Sequence, residues 1–167
     1  DWVHKFIACP ACCSTLNRMP NNTPVKDFTC SRCENDFELK SKNGRFGRVV
    51  PDGAYESMVS AIRRNEQPNL MLLSYRMPFQ VLGAHLLPKR FLVEELVIRR
   101  KPLSPNARRA GWVGCNLNLQ IVPPSALIPL VVEGLPVDKE SIHRNWQAFA
   151  GLDQLTLAGR SWATVTL

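Results

Sequence analysis

The chain has 167 residues, 45% of them hydrophobic, which suits one compact domain with a core of its own. Its 21 Lys and Arg against 14 Asp and Glu give a formal net charge of +7, which favours a polyanionic partner, nucleic acid ahead of membrane. No apolar run reaches the length of a transmembrane helix, and no secretory signal is expected.

Taken in chain order, residues 1–42 carry two Cys-x-x-Cys knuckles with acidic and basic residues between them. "DGAYESMVSAIRRN" follows as an amphipathic helix, with Asp52 as its expected N-cap and Tyr55, Met58, Val59 and Ile62 on one face. "NLMLLSY" (69–75) reads as a buried strand. "VLGAHLL", "LVIRR", "GWVGCNLNL" and "IPLVVEG" read as further strands between turns rich in Pro and Gly. "DKESIHRNWQAF" predicts a second helix with Ile142, Trp146 and Phe149 inward, and "SWATVTL" a closing strand with Trp162 in the core. Alternating helices and strands point to a mixed α/β fold.

Of six cysteines, Cys9, Cys12, Cys30 and Cys33 form C-x2-C, seventeen residues, C-x2-C. That spacing fits a structural tetrahedral zinc site of four thiolates. The alternative is a pair of disulfides, which a chain with no secretory signal disfavours; a reducing cytoplasm is the expected compartment. Cys13 competes for the metal poorly, because neighbouring thiols rarely reach one ion. Cys115 has no histidine partner, since His4, His85 and His143 are scattered, and reads as a buried structural thiol.

The second knuckle sits inside "VKDFTCSRCENDFELKSK". If Cys30 to Cys33 make the turn of a hairpin, Asp27 falls opposite Asp36, and Asp36, Glu38 and Lys40 share its face. Glu38 is then the diagonal neighbour of Asp27, at roughly 7–8 Å between backbones, a gap two carboxylates can close around one divalent ion. Phe37 and Leu39 point into the core. Such a face supplies hard oxygen ligands for Mg²⁺, with Lys40 beside them to orient water or offset charge on a phosphate. The plainer reading is a charged strand with one wet face.

Between Lys89 and Arg109 lie seven basic residues and two acidic ones. Arg99, Arg100, Lys101, Arg108 and Arg109 are candidate contacts to a DNA backbone or groove, against the alternative of a solvated basic face. Trp112, in "AGWVG", is either a core tryptophan or an apolar surface for a base methyl group; one buried methyl is worth only about 0.8 kcal/mol.

These stretches, with "DGAYESM", "LPKRFLVEELVIRRKPLSPNARRAGWVGCNLNL" and "IVP", closely resemble the DpnI-like, Dam-replacing family of restriction endonucleases, which cut GATC when its adenine is methylated. The resemblance implies a PD-(D/E)XK nuclease fold, a mixed sheet flanked by helices with an inserted four-cysteine zinc site. It implies one nuclease domain over 1–167, with the zinc subregion about 9–33 and the family's C-terminal winged helix absent. By motif, Asp27, Glu38 and Lys40 are the catalytic acids and lysine, and the Leu39 carbonyl joins Asp27 and Glu38 around catalytic Mg²⁺. The implied partner is double-stranded DNA methylated on adenine, in a bacterial cytoplasm, with no membrane. The rival is a non-catalytic reader of such DNA with zinc purely structural; oligomeric state is not legible.

Overall fold

A computed structural model of the chain describes residues 2–21, 23 and 25–150. The expected closing strand at 161–167, and Trp162 within it, lie outside these residues.

The elements run α1 (Trp2–Phe6), β1 (Asn17–Arg18), β2 (Phe28–Thr29), β3 (Asp36–Asn43), β4 (Val49–Ala54), α2 (Tyr55–Arg63), β5 (Asn69–Arg76) and β6 (Gln80–Leu87). They continue as β7 (Val97–Arg99), β8 (Gly114–Asn118), β9 (Ile128–Val132), β10 (Leu135–Pro136) and α3 (Lys139–Ala150). Among the described residues the strands form a sheet in the order β1-β2-β3-β5-β6-β9-β10 and a smaller one in the order β4-β8-β7. The fold is mixed α/β, and no described helix is long and apolar enough to cross a membrane.

One pairing organises the functional region. β3 and β5 run parallel while the neighbouring pairs in that sheet are antiparallel. A parallel pair needs a long crossover. Here the crossover is residues 44–68, and it carries β4 and α2 out of the large sheet to build the small one. Side chains then divide between two cores. Phe37, Met71 and Leu73 enter one core with Ile142; Leu70 and Leu72 enter a second with Val50, Leu96 and Leu117. β5 is buried on both faces, hence its unbroken apolar run. In a parallel pair, partners share a face. Glu38 lies beside Leu70 and Lys40 beside Leu72, so both look toward the small sheet.

The second predicted helix is present, capped by Asp138, whose Oδ1 accepts the Ser141 N–H at 2.7 Å. Two expectations need correction. The first helix begins at Tyr55, with Ala54 at the N-cap position and no side-chain cap. Asp52 therefore is not its cap but belongs to strand β4. The hairpin register also differs. Thr29, not Asp27, lies opposite Asp36. The reason is the turn: Glu34 takes a left-handed φ of 57° and Cys30 N–H bonds to Asn35 O, so the turn is two residues longer than Cys30 to Cys33 alone.

Candidate active site and metal clip

The four predicted ligand sulfurs, of Cys9, Cys12, Cys30 and Cys33, all lie within 4.8 Å of one another. Cys9–Cys33 and Cys12–Cys30 are 3.5 and 3.4 Å apart, far beyond a disulfide bond of about 2.05 Å. They approach the edge of about 3.8 Å that zinc–sulfur bonds of about 2.3 Å set in a tetrahedron. The two knuckles are built alike. Cys13 N–H bonds to Cys9 O and Glu34 N–H to Cys30 O, both at 2.8 Å, and Cys13 and Glu34 both adopt a left-handed φ, 59° and 57°. The left-handed turn takes Cys13 away from the cluster, its thiol facing Lys139 O at 3.8 Å.

The donor set fits a soft cation. Burial pushes the Cys9 thiol far up, and raises Cys30 as well. At Cys12 burial acts the same way, but hydrogen bonds with Ser14 and the neighbouring thiols outweigh it and bring it down to about 6. A metal that takes all four sulfurs as thiolates displaces their protons on binding, so its affinity rises with pH. Asn35 Nδ2 donates to Cys33 Sγ at 3.2 Å, and His143 Nδ1 donates to Pro10 O at 2.9 Å, tying α3 to the first knuckle.

The clip closes the hairpin that carries the candidate catalytic residues. Asp27 lies just outside the β2–β3 ladder; its N–H bonds to Phe37 O at 2.9 Å. Its carboxylate turns back, Oδ2 accepting the Leu39 N–H at 2.7 Å. Since N–H and C=O of one strand residue leave on the same edge, the Leu39 carbonyl faces the Asp27 side. Asp27 and Leu39 also line an open cleft of about 670 Å³.

Glu38 and Lys40, two residues apart on one face of β3, are bonded to each other, Nζ to Oε1. Lys40 has a second partner that the sequence did not reveal. Its Nζ lies 2.6 Å from Asp52 Oδ1, and the Asp52 side chain is 3% exposed. A register shift between Pro51 and Ala54 in the β4–β8 ladder takes Asp52 and Gly53 out of regular pairing and turns the carboxylate toward β3. Burial raises the pKa of Glu38, the charge of Asp52 adds to this, and Lys40 opposes it. Burial works against the Lys40 ammonium, but Glu38 and Asp52 overcome that and hold its pKa above an ordinary lysine's. Glu38 and Asp52 flank the Lys40 ammonium, and the charge of Asp27 reaches Glu38, so carboxylates outnumber ammonium groups here. Hard oxygens with excess negative charge are the donor set that a small divalent cation such as Mg²⁺ takes.

The candidate DNA contacts join the same small sheet. Arg99 pairs with Cys115 in the β7–β8 ladder, and Arg100 N–H bonds to Gly114 O at 2.9 Å. Arg99, Arg100, Lys101, Arg108 and Arg109 are all exposed. The Arg109 guanidinium lies 4.3 Å from the centre of the half-buried Trp112 ring. The glycines flanking Trp112 have different tasks. Gly111 has a φ of 76°, whereas a Cβ on Gly114 would stand 2.7 Å from the Trp112 ring. Cys115 is buried with its thiol on Gly53 O, and burial together with the charge of Asp52 pushes its pKa up to about 11. It is no poised nucleophile.

A family model described as DpnI, Dam-replacing family, matches residues 1–154. The matched region holds both knuckles, β3, β4 and the basic loop.

Proposed function

Since the chain belongs to the Dam-replacing family, we propose that it is the nuclease domain of a methylation-dependent restriction endonuclease, of PD-(D/E)XK type, spanning 1–167. Its substrate is double-stranded DNA carrying GATC methylated on adenine. The observation that carries this reading is the convergence on one strand face of Glu38 and Lys40 with the Asp27 carboxylate, which is fastened to the peptide between them.

In this reading Asp27, Glu38 and the Leu39 carbonyl hold Mg²⁺. Bound there, the ion supplies positive charge for a phosphoryl oxygen and makes a nearby water more acidic. Lys40, kept protonated by two carboxylates, orients the attacking water and offsets charge building on the phosphate. Phe37 and Leu39 anchor the strand in the core, and zinc on Cys9, Cys12, Cys30 and Cys33 holds the turn that sets Asp27 beside β3. Arg99, Arg100, Lys101, Arg108 and Arg109 neutralise DNA phosphates, and Trp112 packs against the methylated base. Six free cysteines are in keeping with a reducing cytoplasm.

The test is cleavage, with Mg²⁺, of plasmid prepared with and without adenine methylation at GATC, by the unaltered protein and by Lys40→Ala. Cutting of the methylated plasmid that Lys40→Ala abolishes, with DNA binding kept, is the expected result. Binding of methylated DNA without cutting by the zinc-loaded protein favours instead a non-catalytic reader.

A further inference from the structure

We propose that Asp52 is a positioning residue for DNA cleavage: it anchors the Lys40 ammonium from the opposite sheet, so that the lysine is in place before substrate arrives. The inference rests on the nuclease reading above and adds to it a residue outside the Asp-Glu-x-Lys pattern.

The geometry is costly unless it has a use. A buried carboxylate loses its hydration and needs compensating partners. The Asp52 side chain is 3% exposed, and its Oδ2 has no hydrogen-bond partner. Its Oδ1 is held twice, by Lys40 Nζ at 2.6 Å and by the Gly53 N–H at 2.7 Å. The backbone is arranged for this contact: the ladder slips at Pro51/Ala54, and Gly53 O in turn receives the Cys115 thiol at 3.5 Å. Helix capping does not explain the carboxylate, because α2 starts at Tyr55 and has no side-chain cap.

The contact also answers a problem in the site itself. Glu38 and Lys40 stand on the same strand, so a bond between them leaves the lysine free to follow the glutamate. Once the Glu38 oxygens are committed to a cation, Asp52 is the carboxylate that still holds the ammonium. Lysine has a long flexible stem, and a tether from a second strand removes the conformers in which the charge points elsewhere. That is preorganisation of a charge needed at the transition state. It also couples the small sheet, which bears the basic loop, to the catalytic strand.

The experiment compares the unaltered protein with Asp52→Asn and Asp52→Ala in Mg²⁺-dependent cleavage of a methylated duplex, alongside DNA affinity without divalent cation and thermal melting. Asp52→Ala should lower kcat by about 10²-fold, the scale of a misplaced catalytic group. Asp52→Asn, which keeps an acceptor for Lys40, should recover part of that loss, while KM and metal-free DNA affinity stay within about twofold. In melting, the effect of Asp52→Asn should shrink in a Lys40→Met background, the signature of a direct pair. Turnover of Asp52→Asn and Asp52→Ala equal to the unaltered protein's, or a loss of DNA affinity in step with kcat, would overturn the role and leave the nuclease reading standing. Failure of the unaltered protein to cut would overturn both. If Asp52→Ala does not fold, kcat of Asp52→Asn and the melting cycle decide.

Discussion

The Leu39 N–H donates to Oδ2 of Asp27 over 2.7 Å, so one acid is fastened to the peptide that separates the other acid from the lysine. One strand and one hydrogen bond thereby set where the two acids and the lysine leave the backbone relative to one another, and Asp52 holds the end of the lysine.

Asp27→Asn keeps an acceptor for Leu39 and removes a charge. It should fold, bind DNA as before and lose Mg²⁺-dependent cleavage by at least about 10²-fold. Asp27→Ala also loses the hydrogen bond and should melt lower, by about 0.5–1.5 kcal/mol. Equal cleavage by Asp27→Asn and the unaltered protein would remove Asp27 from the site.

Glu38 predicts a pH dependence. Burial and the charge of Asp52 raise its pKa despite Lys40, so the native state binds the proton more tightly than the unfolded chain. The metal-free protein is then relatively stabilised at low pH and loses that contribution as pH rises through the folded pKa. Glu38→Gln should melt higher than the unaltered protein at pH 8, by about 2–4 °C. The gain should vanish below the ordinary glutamate value of 4.5. Adding Mg²⁺ should stabilise the unaltered protein and not the variant. A variant less stable at pH 8 would mean that the Lys40 bond outweighs the burial of Glu38.

How far the site was legible in the sequence follows from where each residue's partners come from. The cysteine spacing, and the chemistry of Glu38 and Lys40 at i and i+2, are local, and so were readable. The face alternation of Phe37 and Leu39 followed from period two and holds. The pairing register did not, because Glu34 and Asn35 lengthen the turn through a left-handed residue that is not glycine. Asp52 escaped because an aspartate before an amphipathic run is ordinarily a cap. The Asp-Gly inside "VVPDGA" was the available sign of a bulge. The small sheet β4-β8-β7 joins strands far apart in sequence, and no local pattern encodes that contact.

The metal clip makes a stoichiometric prediction. The protein should contain one zinc per chain, Cys12→Ser should lose it, and Cys13→Ser should keep it, because Cys13 faces Lys139 O instead of the cluster. Chelation should lower the melting temperature and abolish cleavage together, and neither should return with Mg²⁺ alone. Metal analysis with circular dichroism melts reads all of these. Zinc loss in Cys13→Ser would show that the left-handed turn does not separate the two neighbouring thiols.

Trp112 and the arginines around it should separate methyl sensing from phosphate binding. If the ring buries the adenine methyl, Trp112→Ala loses about 0.8 kcal/mol of preference, which is about fourfold in the ratio of affinities for methylated and unmethylated duplex. Gly114→Ala should reproduce part of this without touching the indole, because its Cβ would stand 2.7 Å from Cη2 and Cζ3 and so displaces the ring. Arg108→Ala should weaken both duplexes alike and reduce the slope of log affinity against log salt by about 0.9, one phosphate's share. Arg109 differs from Arg108, since its guanidinium lies over Trp112. Arg109→Ala should therefore alter the methyl ratio as well as the slope. Binding titrations of both duplexes across a range of salt concentrations distinguish these effects. A methyl ratio unmoved by Trp112→Ala and Gly114→Ala would place methyl sensing elsewhere and leave the ring to support Arg109.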